Sequence, residues 1–176
     1  MSSRITVTRR SFLQYATAVG LLVAFKFDLG ASAETASEFI PNAFLRIAPD
    51  NTVTAISKHI EFGQGTYTGI ATVLANELDA EWSQIRVESA PADLRRYVNL
   101  AYRTVQGTGG SNAMANSWDQ LRQAGAQARA LLVAAAAKQW KVTPDSITIE
   151  RGVLKGAAGQ SATFGEVATL AQSLTI

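Results

Sequence analysis

The segment TVTAISKHIEFGQGTYTGIATVLANEL (residues 52–78) changes its hydrophobic period midway. TVTAISK alternates apolar and polar residues, which reads as a strand. IATVLANEL repeats near 3.6 residues, which reads as a helix. Between them lies HIEFGQGTYTG, with His59, Glu61, Gln64 and three glycines in eleven residues. The glycines therefore fall in a strand-to-helix turn. Glycine there lets backbone approach a ligand, and the first amides of a helix favour an anion. An anionic cofactor is the first expectation.

The surrounding chain extends this pattern. AFLRIA (43–48) reads as a strand, PDN (49–51) as a turn, and TVTAISK as the hairpin partner. The helix is expected from about Thr68 to Leu78, followed by a loop, DAEWSQ (79–84), and a strand, IRVESA (85–90). PADLRRYVNLAYRTV (91–105) reads as a long, partly ordered loop. QGTGGSN (106–112) is a second glycine-rich loop, and it opens an alanine-rich helix, AMANSWDQLRQAGAQARALLVAAAAKQW (113–140). SITIERGVLKG (146–156) reads as a small hairpin. TFGEVATLAQ (163–172) carries a Thr163-x-x-Glu166 capping box before a short helix. The fold class is α/β (α+β), with a strand–glycine loop–helix unit used twice. Two such loops suit a pyrophosphate or dinucleotide held between them.

Composition narrows the chemistry. The chain has 176 residues, about one domain's worth, with 47% hydrophobic and 17% charged residues. It contains no cysteine, which excludes disulfides, iron–sulfur clusters and thiolate metal sites within it. His59 is the single histidine, so a multi-histidine centre is excluded too. A net charge of +2 is too small to imply nucleic acid. Residues 1–33 hold Arg4, Arg9, Arg10 and Lys26 against Asp28, so they carry +3 and the remainder −1.

Those 33 residues read as an address. Arg9-Arg10-Ser11-Phe12-Leu13 precedes a short apolar stretch, Tyr15 to Phe25, and the small residues ASA at 31–33. Basic start, apolar middle and small-residue end define an export signal. The paired arginines with Phe12 and Leu13 resemble bacterial twin-arginine signals, which implies export of a folded protein to the periplasm. The expected organisation is a signal at 1–33, a polar linker at 34–42 and a cofactor-binding domain at 43–176.

Individual residues admit quieter readings. Gly63, Gly65 and Gly69 miss the G-x-G-x-x-G spacing by one residue, yet Glu88 stands where a ribose-binding acid would sit, so a nicotinamide or flavin site stays open. Gln64 both donates and accepts, which suits a pterin edge or an oxo group. Glu61 reads as a solvated charge or a helix-start acid, and His59 as a hydrogen-bonded structural residue. Arg95, Arg96 and Arg103 read as solvated. Trp82, Trp118 and Trp140 read as packing residues. The wide apolar face of the long helix is expected to need a partner surface. A non-catalytic periplasmic module also stays open.

The pair EFGQGTYTGIATVLANELDAEWSQIRVESAPAD (61–93) and QGTGGSNAMANSWDQLRQAGAQARALLVAAAAKQW (106–140) resembles one family closely. It is the large, molybdopterin-binding subunit of the xanthine dehydrogenase/aldehyde oxidase family. Its nearest branch holds the isoquinoline 1-oxidoreductase beta subunits and the membrane-associated aldehyde dehydrogenases. The resemblance implies that Gly63, Gln64, Gly65, Gly109, Gly110, Ser111 and Asn112 contact molybdopterin cytosine dinucleotide. Phe62 stands where the family usually has methionine. It also implies oxidation of an aldehyde or N-heterocycle, the remaining segments of a longer subunit, a separate 2Fe–2S subunit and a cytochrome c electron acceptor. Periplasmic export and association with the membrane surface would follow. Glu61, Glu77, Glu88, Glu150 and Glu166 do not match the motif of the family's catalytic glutamate. No residue here is assigned a catalytic or metal-ligating role, and the chain alone is expected to be inactive.

Overall fold

The computed structural model describes residues 39–174; the expected export signal lies outside the described residues. Two sheets and a helical layer make up a mixed α/β fold. Strands β1 (Phe39–Asn42), β2 (Leu45–Ile47), β3 (Val53–Ser57) and β4 (Ile85–Ser89) form one sheet in that order. β1–β2 and β2–β3 pair antiparallel, whereas β3 and β4 pair parallel, Val53 opposite Ile85. A parallel pair needs a crossover, and helix α1 (Thr66–Leu78) supplies it. β5 (Ile147–Glu150), β6 (Val153–Gly156) and β7 (Ser161–Thr163) make a separate antiparallel meander. A single turn, α2 (Leu94–Tyr97), a long helix, α3 (Ala113–Trp140), and a short one, α4 (Phe164–Gln172), complete the order.

Burial follows the sequence pattern. All five residues of β3 are buried, as befits an inner strand, while β5 alternates buried and exposed. Leu45, Val53, Leu78, Leu132 and Phe164 meet in one core beneath the helices. α1 lies along α3, and Gly125 sets how closely: a Cβ there would stand 2.6 Å from the Cβ of Glu77. α4 starts at the expected capping box. Thr163 N–H donates to Glu166 Oε2 at 2.6 Å, and Glu166 N–H returns to Thr163 Oγ1 at 3.4 Å.

Three expectations change. Residues 39–42, expected as the end of a linker, form β1, because the edge of β2 offers a partner for their backbone groups. The apolar face of the long helix needs no outside surface, since Leu121, Ala124, Leu132 and Ala136 are buried against α1, α4 and the sheet within this chain. Trp118 apart, the large exposed apolar side chains among the described residues sit off this helix, at Ile60, Phe62, Leu100 and Val105 among others. Trp82 and Trp118 are half-exposed rather than packed, and the Arg122 guanidinium lies 5.8 Å from the Trp118 ring centre. Among the described residues no helix is long and apolar enough to cross a membrane.

Candidate functional site

The first glycine loop leaves the end of β3. Ser57, Lys58 and His59 are buried, and from Ile60 the chain turns outward. Gly63 and Gly65 hold φ of +102° and +81°, the left-handed region where a Cβ is penalised. Open space surrounds both positions, so backbone conformation, not crowding, selects glycine there.

The amides freed by this turn are already engaged. The Glu61 carboxylate accepts from Gly63 N–H at 2.6 Å, Gly65 N–H at 3.1 Å and Tyr67 N–H at 3.0 Å. Its pKa is held below the ordinary glutamate value mainly by the Tyr67 amide, with Gly65 and Gly63 adding and burial opposing. Glu61 is thus a helix-start acid rather than a solvated charge. It also explains why α1 begins at Thr66, two residues before the position expected: the acid binds an amide of its first turn.

Gln64 stitches the same loop. Its Oε1 accepts from Phe62 N–H at 2.8 Å, and its Nε2 donates to Ile60 O at 2.7 Å and Thr66 Oγ1 at 3.0 Å. An amide has two N–H donors, and both are engaged. One lone pair on Oε1 is what remains for a ligand.

The second loop is fastened by a residue that sequence reasoning missed. Asn99 is 1% exposed and sits inside the stretch read as a loose loop. Its amide donates to Gly107 O at 2.8 Å and Asn112 Oδ1 at 3.2 Å, so it grips both ends of the glycine loop. Its carbonyl accepts from Ala101 N–H at 2.9 Å and from the Asn116 amide. A lone asparagine among YVNLAY offers no periodic or motif signal; only a tertiary network identifies it. Asn112 precedes α3 without a side-chain cap, because its carbonyl faces Asn99 instead. Among the described residues, the first turn of this 28-residue helix is therefore left without a side-chain cap. Gly110 and Ser111 hold φ of +63° and +53°, and the Tyr102 ring lies against Gly107 and Gly109.

The loops meet. Ile60 N–H donates to Thr108 Oγ1 at 3.0 Å, and His59 Nδ1 lies 3.5 Å from the same hydroxyl. Between them is a cavity of about 460 Å³, in the lower half of the roughly 300–1,000 Å³ of small-ligand sites. From the first loop, Phe62, Gln64 and Thr66 line it; from the second, Thr108 to Asn112 and the first residues of α3, including Met114. Gly109, Gly110, Ser111, Asn112 and Gln64 thus line one cavity. Gly63 and Gly65 shape the loop without lining the cavity. No carboxylate and no cation is among the lining residues. Hydroxyls, amides and an uncapped helix start form a neutral donor set that suits an anion, and Phe62, Ala113 and Met114 supply an apolar wall.

Behind the cavity lies an unusual basic pair. Lys58 is 4% exposed, and its ammonium donates to Gln120 Oε1 and, at 3.4 Å, to Asn116 O, with burial lowering its pKa to about 8. Burial, then the charge of Lys58, depresses His59, while the Gly107 backbone works the other way. His59 Nε2 is buried without a partner, as befits a neutral ring.

The nicotinamide alternative loses its two supports. Gly69 lies within α1, where it makes room for Met114, rather than in a phosphate-binding turn. The Glu88 carboxylate is bound by Arg46. Arg95 and Arg96 pair with Asp93, and neither they nor Arg103 line the cavity.

Comparison with known proteins points the same way. The profile of the molybdopterin cofactor-binding domain family matches residues 7–175. The chain is 36% identical over 176 residues to the isoquinoline 1-oxidoreductase subunit beta of Brevundimonas diminuta, covering 96% of this chain and 22% of that protein. It is 29% identical over 170 residues to the membrane-bound aldehyde dehydrogenase (pyrroloquinoline-quinone) of Gluconacetobacter polyoxogenes, covering 92% and 21%. The chain thus spans about a fifth of the length of the curated relatives it matches. In fold it is similar to quinoline 2-oxidoreductase from Pseudomonas putida 86, with a TM-score of 0.54 and 22% identity over 71% of this chain and 15% of that one.

Proposed function

Because the chain belongs to the molybdopterin cofactor-binding domain family, we propose that it supplies part of the cradle for molybdopterin cytosine dinucleotide in a molybdenum hydroxylase acting on aldehydes or N-heterocycles. The observation that carries this reading is the meeting of two glycine loops, more than forty residues apart in sequence, around one neutral, donor-rich cavity. The metal and its pterin would supply the redox chemistry. The residues of this chain bind and orient. Thr108, Ser111 and Asn112 at the start of α3 would hold an anionic part of the cofactor, with Gly109 and Gly110 keeping the backbone close. Gln64 would offer its remaining lone pair, and Phe62 and Met114 would exclude water from one side. Among the described residues no group of three or more His, Cys, Asp or Glu is gathered to hold a metal, so the metal would be carried by its pterin.

The likeness to oxidoreductase subunits about five times longer supports further parts of the proposal. The remaining segments of a large subunit complete the site, electrons leave through a separate 2Fe–2S subunit to a cytochrome c, and Arg9-Arg10-Ser11-Phe12-Leu13 directs export to the periplasm, at the membrane surface. The chain alone is catalytically incompetent: with an aldehyde and a dye acceptor it should give no turnover. In the assembled subunit, Gln64→Ala and Gly65→Val should both lower molybdenum content per folded subunit. Gln64→Ala removes the loop's three internal stitches, at about 0.5–1.5 kcal/mol each roughly 1.5–4.5 kcal/mol in all, with the lower end applying to an exposed loop. Gly65→Val puts a branched side chain at φ +81°. Unchanged metal content in both variants, or turnover by the chain alone, would refute the proposal.

A further inference from the structure

We propose that Glu61 is the resident anion of the first glycine loop: its carboxylate takes the amides that the loop would otherwise turn toward a phosphate, and so leaves anion recognition to the second loop. The two loops look equivalent in sequence, but the structure makes them unlike. In the first, Gly63, Gly65 and Tyr67 all donate to one carboxylate. In the second, the Asn112 side chain does not cap α3, no other described side chain does, and no acid lines the cavity. A helix start that already holds a carboxylate has its partial positive charge offset. An external phosphate there would have to displace Glu61 or lie beside a like charge. With the loop closed on its own acid, Gln64 and Thr66 are held at the cavity wall. Glu61 is therefore a positioning residue, acting through the backbone of the loop. Where the ligand's phosphates go rests on the cofactor-cradle reading; the occupancy of the first loop by Glu61 does not.

The full 176-residue chain supports the test. Glu61→Ala should lower the melting temperature by several degrees, and formate should restore most of the loss while chloride at the same ionic strength does not. Glu61→Gln should be partly destabilised and without rescue, because its Oε1 can still accept from Gly63 and Gly65 as a neutral oxygen while its Nε2 sets donor against donor at Tyr67 N–H, and its bulk shuts formate out. A merely space-filling role predicts the opposite, a tolerated glutamine and no response to formate, and that result would overturn the proposal. Should Glu61→Ala fail to fold, amide-resolved NMR of the wild-type chain with inorganic phosphate decides. The amides of Gly63, Gly65 and Tyr67 should stay in place; their movement with phosphate would overturn the proposal. Still amides at Thr108–Ala113 in the same titration would count against the cradle reading alone and leave the role of Glu61 intact.

Discussion

Asn99→Ala should unfasten the second loop and cost more stability than truncating any other amide side chain among the described residues. The wild-type side chain makes two donated and two accepted hydrogen bonds at 1% exposure. Neutral hydrogen bonds contribute about 0.5–1.5 kcal/mol each, so four sum to roughly 2–6 kcal/mol. The lower half of that range applies, because Gly107, Asn112 and Asn116 are only half-buried and water can reach them after truncation. About 3 kcal/mol is the resulting expectation, or roughly 10 °C in melting temperature for a domain of this size. Asn99→Asp keeps the shape and the accepting oxygen but faces Gly107 O and Asn112 Oδ1 with a second acceptor. It should be at least as damaging. The assay is thermal and urea unfolding of both variants, with amide exchange read at Gly107–Asn112. A loss below about 1 kcal/mol in both, with exchange unchanged, would refute the assignment of Asn99 as the clamp.

Three further outcomes follow from the basic pair and the loop strain. Lys58 releases its proton near pH 8 when folded and near 10.5 when unfolded. Between those values the unfolded state holds more protons, so stability should rise with pH, and Lys58→Met should abolish that rise in melting scans from pH 7 to 10. His59 is held below its ordinary value of 6.5, so the unfolded state takes its proton first as acid is added. Stability should therefore fall as pH drops below 6.5, and His59→Gln should remove that component of the acid profile. Ser111 is a non-glycine residue at φ +53°, so Ser111→Gly should leave stability unchanged or raise it slightly, whereas Gly110→Val at φ +63° should lower it by about 1–2 kcal/mol, both read by thermal unfolding.

The elements that show in the sequence are those with a sustained period. β3, α1 and β4 follow from alternation giving way to a 3.6-residue repeat, and α3 occupies the whole alanine-rich stretch, Ala113–Trp140. β1 and β7 have four and three residues, too short for any period, and exist because a neighbouring strand offers pairing partners. The site divides in the same way. Glycine spacing located both loops, since positive φ leaves a compositional mark. What joins them does not: Asn99 and Thr108 act through hydrogen bonds that span 8 to 49 residues, and nothing local distinguishes them from solvated polar residues. Glu61 was open to two readings because its carboxylate is bound by backbone, and backbone donors are invisible in a sequence. Trp82 and Trp118 show the reverse error, large apolar residues read as packing residues that the fold leaves at the surface, whereas Trp140 does pack against the core.

That the two loops form one cradle for an anionic cofactor is tested most directly by titrating the isotope-labelled chain with cytidine 5′-diphosphate, a probe carrying the pyrophosphate and base expected of the cofactor. Chemical-shift changes should be confined to the cavity wall, largest at the amides of Gly109–Ala113 and smaller at Phe62, Gln64 and Thr66. Saturable shifts at those positions are what the account predicts. Shifts centred anywhere else, or none at millimolar probe, would contradict it.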